Sequence, residues 1–142
     1  MRILGIDFGE KRIGLAVSDP LGITAQGLET LKHENKRQVL QALSDICREN
    51  EVGEIVIGLP INMDGSQGPK AREIFGFVAE LEKNLGVPVK PWDERLSSRQ
   101  AGRLMIEQGL SRQKQRQHSD RLAATLILQS YLESKRSISR ED

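Results

Sequence analysis

The hydrophobic pattern at the start of the chain predicts three consecutive strands. Apolar residues dominate Arg2 to Phe8 and Arg12 to Ser18, and a three-residue turn separates the two runs. A third strand is expected from Ala25 to about Thr30. Because successive strands are joined by short connections, this region predicts an antiparallel meander.

Helical and strand patterns alternate in the middle of the chain. Apolar positions recur at the helical period over residues 36 to 50, and EIVIGLP then forms a continuous apolar run typical of a buried parallel strand. A second helix is expected to begin at Pro69 and end at Gly86, followed by a fifth strand from Val87 to about Trp92. The apolar stripe predicted for that helix consists of Ala71, Ile74, Phe75, Val78 and Leu81.

The end of the chain is predicted to be helical. Helices are expected from Ser97 to Gln108 and, after a basic loop, from Ser119 to about Lys135. Two strand-helix crossovers added to the meander predict an α/β fold with a mixed five-stranded sheet, the first strand central and helices on both faces. We expect one domain over residues 1–136 and a polar tail over 137–142.

Composition supports a single globular domain. The chain has 142 residues, of which 37% are hydrophobic and 29% are charged, so a disordered or fibrous chain is excluded. No apolar run reaches the length of a membrane span and no secretory segment is recognisable at the N-terminus, so a cytoplasmic location is expected. Cys47, the single cysteine, falls on an apolar helical stripe, which predicts a core residue and excludes a disulfide or zinc framework.

Positive charge is concentrated in one segment. The net charge is +1, yet residues 1–94 carry 11 basic and 15 acidic side chains, whereas residues 95–118 carry six basic and one acidic. Such a basic arm can contact a phosphate backbone, although a charge run is also typical of a solvated surface. Its members are Arg95, Arg99, Arg103, Arg112, Lys114 and Arg116, and Lys11 and Arg12 are further candidates for nucleic-acid contact.

Carboxylates occupy three places where the pattern calls for apolar residues or a strand end. Asp7 lies inside an apolar strand, Asp120 heads the core-facing stripe of the last helix, and Asp93 and Glu94 directly follow strand five. Each has an ordinary structural explanation: a turn residue for Asp7, a complement to the helix dipole for Asp120, and a solvated loop for the pair.

Together these acids predict a metal site. A central strand, the end of a neighbouring parallel strand and a helix packed on the sheet can bring their carboxylates together. Oxygen-rich clusters of this kind hold Mg²⁺ or Mn²⁺, and two-metal sites promote phosphoryl transfer. The chemistry indicated is phosphodiester hydrolysis.

A glycine-rich loop and two histidines are less specific. The segment GLPINMDGSQGPKA joins a strand to a helix N-terminus and could contact phosphate, or could be an inert surface loop. It lacks the Walker pattern, so a nucleotide P-loop is disfavoured. His33 and His118 have no partner at ligand or triad spacing, although His118 lies near Asp120 and could bond a phosphate.

Four motifs in order give the chain a family resemblance. GIDFGEKRIGLAVSD, IVIGLPINMDGSQGPKA, DERLSSRQA and SDRLAATLILQSYLE resemble the YqgF or RuvX family of RNase H-like nucleases, relatives of the RuvC Holliday junction resolvase. The resemblance covers residues 2 to about 133 and implies that Asp7, Glu94 and Asp120 form the family's acidic triad, with Asp93 as a supporting neighbour. Glu10 departs from the family pattern and adds an acid near Asp7.

The resemblance implies a nuclease acting on structured nucleic acid. Processing of the 5′ end of pre-16S ribosomal RNA, on ribosomal subunit precursors, is the first choice, and resolution of branched DNA is the second. A non-catalytic RNA-binding assembly factor is disfavoured because a pure binder gains nothing from carboxylates set against phosphate. An ATP-binding protein of the actin and sugar kinase type needs two such domains. A monomer or weak homodimer is expected.

Overall fold

The chain forms a five-stranded sheet covered by helices. The computed structural model describes residues 1–62, 64–96 and 112–141, and at 112–121 and 137–141 it describes the backbone alone. The elements are β1 (Arg2–Phe8), β2 (Arg12–Ser18), β3 (Ala25–Lys32), α1 (Lys36–Glu49), β4 (Val52–Leu59), α2 (Pro69–Leu85), β5 (Val89–Asp93), a 3₁₀ turn (Glu94–Leu96) and α3 (Arg112–Glu141).

The predicted topology is confirmed. The strand order is β3-β2-β1-β4-β5, so β1 is central, antiparallel to β2 and parallel to β4. The remaining pairs are also as expected, with β3 antiparallel to β2 and β5 parallel to β4. The carboxyl ends of β1, β4 and β5 therefore meet at one edge of the sheet.

Two apolar cores lie on opposite faces of the sheet. On one face, α1 and α2 cover Leu4, Ile6 and Phe8 of β1. On the other face, α3 packs against Ile3 of β1 and against residues of β2 and β4. Because side chains alternate along a strand, Asp7 shares the α3 face with Ile3.

The second core depends on a close approach of α3 to the sheet. A Cβ atom at Gly5 would lie 2.8 Å from the Leu128 Cβ and 3.2 Å from the backbone oxygen of Ala124. Only a residue without a side chain fits there. In the predicted core stripe of the last helix, Ala124, Ile127, Leu128 and Tyr131 are buried as expected, whereas Ala123 is half-buried.

The predicted stripe of α2 is wrong at one position. Phe75 is 39% exposed, whereas Phe77 is 4% exposed and belongs to the core. The two residues flank the stripe at similar angles on opposite sides, so periodicity cannot choose between them. Stacking of Phe77 on Phe8, with ring centroids 4.4 Å apart, decides the orientation. The predicted helix end at Gly86 is confirmed by a φ of 70° at that residue.

The last helix is longer than predicted at both ends. It begins at Arg112, not Ser119, and continues through Glu141, past Lys135 and into the expected tail. The reason is that residues 110–142 contain neither glycine nor proline, and glutamine, lysine and arginine favour helix. The helix expected from Ser97 to Gln108 lies outside the described residues.

Smaller observations complete the fold. The Cys47 side chain is buried in the core as predicted, and its burial raises the pKa of the thiol to about 11. Asn35 caps α1, accepting a hydrogen bond from the Gln38 N–H at 3.2 Å.

Within the described ranges, no helix has both the length and the apolar character that crossing a membrane requires.

Candidate active site

Asp7 is placed by the central strand. It lies one residue before the end of β1, half-buried on the α3 face, and pairs with Gly14 on β2. Its neighbours on the same face, at a spacing of two, are Gly5 and Gly9. The strand thus holds a carboxylate rigidly at the carboxyl edge of the sheet, where open α/β sheets bind their ligands.

Glu94 reaches the same edge from β5. It is the first residue of the 3₁₀ turn that follows the strand, and its side chain lies over Gly58 of β4. A Cβ atom at Gly58 would come within 2.8 Å of the Glu94 Oε1 and 3.0 Å of its Cγ. The missing side chain at Gly58 therefore provides the space that the glutamate occupies.

The two carboxyl groups interact directly. Burial, the negative charge of Asp7 and a hydrogen bond with Asp7 raise the pKa of Glu94 to about 7. A hydrogen bond between two carboxyl groups requires a proton on one of them. Without a cation, the pair therefore shares a proton up to near-neutral pH, as closely spaced carboxylates do.

Lys70 supplies positive charge that the sequence interpretation did not single out. Its Nζ lies 4.8 Å from the centroid of the Phe8 ring and 3.6 Å from the Glu73 Oε2. Its charge also acts on Glu94, lowering the pKa that burial and Asp7 raise. The available signal was its position at the start of α2, directly after the glycine-rich loop.

The glycine-rich loop before Lys70 is closed by its own hydrogen bonds. The Asp64 Oδ1 accepts from the Ser66 N–H at 2.9 Å and from the Ser66 hydroxyl at 2.6 Å. Gly65 has a φ of 87°, which a side chain would disfavour. The described part of the loop thus positions the start of α2.

Asp93 and Arg95 form an ion pair beside the site. The Arg95 Nη2 donates to the Asp93 Oδ2 at 2.8 Å, and the Arg95 backbone N–H donates to Oδ1 at 2.9 Å. The hydrogen bond from Arg95 holds the pKa of Asp93 below its usual range. Of the two adjacent acids, Glu94 is therefore the one turned towards Asp7.

The third predicted acid, Asp120, lies on α3 in the part described by backbone alone. It is one helical turn before Ala124, whose backbone oxygen approaches Gly5 of the central strand. Among the described residues, no group of three or more histidine, cysteine, aspartate and glutamate side chains could hold a metal ion. The structure thus brings two predicted ligands together, and the triad stays a prediction.

The basic candidates are distributed over three regions. Arg112, Lys114 and Arg116, expected in a loop, lie on the first turns of α3, with only their backbone described. Arg99 and Arg103 lie outside the described residues. Lys11 and Arg12 lie at the turn between β1 and β2, close in sequence to Asp7, and Glu10 beside them is exposed.

An ionic network around the buried Glu54 anchors α3 at the other end of the sheet. Glu54 on β4 is 5% exposed and accepts from the Tyr131 hydroxyl at 3.0 Å and from Lys135 and Lys90 at 2.9 Å each. Burial acts to raise the pKa of Glu54, but these hydrogen bonds outweigh it and hold the pKa below the usual value. The sequence interpretation did not identify this network.

A family model and named relatives each match nearly the whole chain. A family model described as RuvX, Holliday junction resolvase, matches residues 1–134. A Clostridium acetobutylicum protein named as a pre-16S rRNA nuclease is 48% identical over 134 residues, covering 94% of this chain and 99% of its own. A Koribacter versatilis protein of the same name is 50% identical over 141 residues, covering 99% and 92%.

Solved structures share the fold. T. thermophilus RuvC in complex with a Holliday junction substrate aligns with a TM-score of 0.58 and 21% identity, over 94% of this chain and 96% of that one. The fowlpox virus resolvase in complex with Holliday junction DNA aligns with a TM-score of 0.55 and 17% identity, over 94% and 98%. The predicted RNase H-like fold is confirmed.

Proposed function

The chain belongs to the RuvX family, and from this premise we propose that it is a metal-dependent nuclease whose substrate is the 5′ end of pre-16S ribosomal RNA. The observation that carries the proposal is the contact between the carboxyl groups of Asp7 and Glu94. Two acids held together at a sheet edge repel each other, which is unfavourable unless a cation or proton joins them.

The residues present fit a divalent metal ion. Carboxylate oxygens are the ligands that Mg²⁺ and Mn²⁺ prefer, and Asp7, Glu94 and Asp120 would hold the ion. A bound ion would supply positive charge for the attacking and leaving oxygens of phosphodiester hydrolysis. Asp7, on the central strand, fixes the position of the site, and Glu94 contributes a carboxylate that must lose its proton before it binds metal.

The cationic side chains hold the substrate. Lys70 places an ammonium group near Glu94, where it can contact a non-bridging oxygen of the scissile phosphate. The basic arm of Arg95, Arg99, Arg103, Arg112, Lys114 and Arg116, with Lys11 and Arg12, contacts the backbone on either side. These backbone contacts carry no base readout and respond only to the shape of the substrate.

The choice of RNA follows the names of the relatives that match almost their whole length. With this substrate, the enzyme would act on ribosomal subunit precursors in the cytoplasm. Resolution of branched DNA is the second candidate, favoured by the description of the family model. A non-catalytic assembly factor is disfavoured because the Asp7–Glu94 contact would repel phosphate without a metal.

The deciding experiment compares the two substrates directly. The purified protein is incubated with a precursor 16S RNA fragment and with a synthetic four-way DNA junction, each with Mg²⁺, with Mn²⁺ or with EDTA. We expect metal-dependent cleavage near the mature 5′ end of the RNA and weaker or no cleavage of the junction. Paired symmetric cuts in the junction with no RNA cleavage would favour the second candidate, and no cleavage of either would contradict a nuclease.

A further inference from the structure

A cleft lies on the face of the sheet opposite α3, between α1 and α2. It has a volume of about 210 Å³, and its lining includes Phe8, His33, Lys36, Phe77 and Glu80. The carboxyl pair of Asp7 and Glu94 lies on the other face, so none of these side chains belongs to the site described above. The cleft is therefore distinct from the candidate active site.

Three rings form the aromatic part of the cleft. Phe8 stacks on Phe77 at a centroid distance of 4.4 Å, and His33 is tilted against Phe8 at 4.5 Å. The His33 ring is fixed because its Nδ1–H donates to the carbonyl oxygen of Gly9 at 2.8 Å. Phe8 and Phe77 are buried in the core and support the half-buried His33 ring, which is the one open to a ligand. A preordered ring of this kind is the usual platform on which a nucleic-acid base stacks.

The polar part of the cleft contains an acceptor that lacks a donor. The Glu80 Oε1 accepts from the Lys36 ammonium, whereas no hydrogen bond to the buried Oε2 is found among the described residues. The Glu80 side chain as a whole is 37% exposed, so its carboxylate is open to a donor that enters the cleft. An N–H group on the edge of a nucleobase has the required chemistry.

Lys70 links the cleft to the carboxyl pair. Phe8 directly follows Asp7 in β1, so the two side chains lie on opposite faces at the same strand end. The Lys70 Nζ lies 4.8 Å from the centroid of the Phe8 ring, while its charge also acts on Glu94. When Lys70 holds a phosphate at the carboxyl pair, the neighbouring nucleotide can therefore reach the cleft.

We propose that this cleft binds one unstacked base of the nucleic-acid substrate, next to the scissile phosphate. The base stacks on the half-buried ring of His33 and donates an N–H hydrogen bond to the Glu80 carboxylate. This inference rests on the proposed nuclease function and adds to it a means of choosing the cleavage position. It also favours a substrate with a single-stranded end, whose bases are free to leave the stack.

The test removes the substrate base and the cleft side chains in separate experiments. Binding is measured with the Asp7→Asn protein, which leaves the substrate intact, on RNA carrying a single abasic nucleotide at each position flanking the cleavage site. One abasic position should weaken binding about 5- to 150-fold, the range of base–aromatic stacking. In the Asp7→Asn background, His33→Ala and Glu80→Ala should weaken binding of the unmodified RNA and abolish the effect of that abasic position.

The matched control is Glu82→Ala, an exposed glutamate on α2 outside the lining of the cleft. It should retain the abasic effect in full, and thermal melting should confirm that all variants are folded. If the parent protein neither binds nor cleaves RNA, the proposed function is wrong and the cleft proposal falls with it. If RNA is cleaved but the abasic effects are the same with and without His33 and Glu80, the cleft proposal alone is wrong.

Discussion

The carboxylate of Glu94 lies directly against the backbone of Gly58. A Cβ atom at Gly58 would be 2.8 Å from the Glu94 Oε1 and 2.6 Å from the Ile127 Cδ1. Real Cβ atoms do not make contacts this short, so any side chain at Gly58 must displace its neighbours. The glycine on β4 thus determines whether the glutamate after β5 can reach the aspartate on β1.

Replacing Gly58 should therefore lower the cleavage rate strongly and the free energy of unfolding only moderately. In Gly58→Ala, both displaced atoms are the ends of flexible side chains, so the cost of overpacking should be about 1–3 kcal/mol of unfolding free energy. Displacement of Glu94 should lower kcat by about 10-fold or more. Chemical denaturation and single-turnover cleavage measure the two effects.

Gly5→Ala is the informative comparison. The new Cβ would meet the Leu128 Cβ and the backbone oxygen of Ala124, which can move only if α3 shifts as a whole. We expect Gly5→Ala to lose more stability than Gly58→Ala. A Gly58→Ala protein with parental turnover would contradict the placement of Glu94 in the active site.

Asp7→Asn should abolish hydrolysis while the fold is retained. The substitution removes a proposed metal ligand and also removes the negative charge that raises the pKa of Glu94. Unfolding free energy at pH 8 should stay the same or rise, because the repulsion between the two carboxylates is relieved. The matched control is Asp45→Asn on the exposed face of α1, where the aspartate pairs with Arg48 and turnover should be unchanged. Parental turnover in Asp7→Asn would exclude Asp7 as a catalytic ligand.

Without metal, stability should fall as pH rises through the window set by Glu94. Its pKa is raised from an ordinary 4.5 to about 7 in the folded protein, so between these values the folded state holds a proton that the unfolded state lacks. Stability decreases with pH across this interval and is level above it, with a total loss on the order of 2 kcal/mol. Thermal melting in EDTA from pH 5 to pH 8 measures this slope.

Metal should reverse the trend. Mg²⁺ or Mn²⁺ binds the deprotonated carboxylates of the folded state, so its stabilising effect should grow with pH and should be removed by EDTA. Glu94→Gln should flatten both the pH dependence of stability and the stabilisation by metal. Glu82→Gln, at an exposed position on α2, should change neither. A metal response that is the same in Glu94→Gln and the parent would show that the ion binds elsewhere.

Much of the site could be predicted because its residues break local rules. Asp7 interrupts an apolar strand, and strand alternation places it on the same face as Gly5, although only the structure shows that α3 covers this face. Glu94 is identified by its position after a parallel strand, although its contact with Asp7 depends on the space above Gly58, which no pattern reveals. Lys70 was not identified because a lysine in the first turn of a helix is ordinarily a solvated residue.

What the sequence did not predict depends on contacts between distant segments. Glu54 is separated by 77 residues from Tyr131 and by 81 from Lys135, so its burial among their polar groups leaves no local signature. The choice of Phe77 over Phe75 depends on stacking against Phe8 in a strand far along the chain. The helix begins at Arg112, before the predicted start, because lysine, arginine and glutamine are good helix formers even though a basic run is also typical of a loop.

The basic arm should determine the salt dependence of nucleic-acid binding. Each phosphate contact that is lost lowers the slope of log K against log salt by about 0.7 to 0.9. Replacing Arg112, Lys114 and Arg116 together with glutamine should therefore lower the slope by about 2 to 3 if all three contact phosphate. Arg48→Gln with Lys83→Gln, on the exposed faces of α1 and α2, is the control and should leave the slope unchanged. An unchanged slope in the triple variant would show that the arm is a solvated surface.

The amount of exposed apolar surface decides whether the protein can form a tight dimer. The number of subunits in turn favours one substrate over the other. Resolving a four-way junction needs two coordinated cuts, and therefore two active sites held by a stable twofold dimer, whereas trimming one RNA end needs a single site. A standard interface buries about 800 Å² per partner. On the last helix, Leu122, Leu126 and Leu132 lie off the Asp120 face of the helical pattern and are the candidate residues for such an interface.

Among the side chains that the structure describes, too little of that surface is left exposed for a tight dimer. Leu132 is 1% exposed, inside the core, and Leu122 and Leu126 are half-buried. Large apolar side chains that are exposed within the described ranges are divided among the N-terminus, the β2–β3 connection, α2 and the 3₁₀ turn. We therefore predict a monomer or weak dimer at micromolar concentration in sedimentation velocity, with or without junction DNA. A tight dimer that makes paired symmetric nicks would reverse the ranking of RNA over DNA, because two fixed sites serve no purpose at a single RNA end.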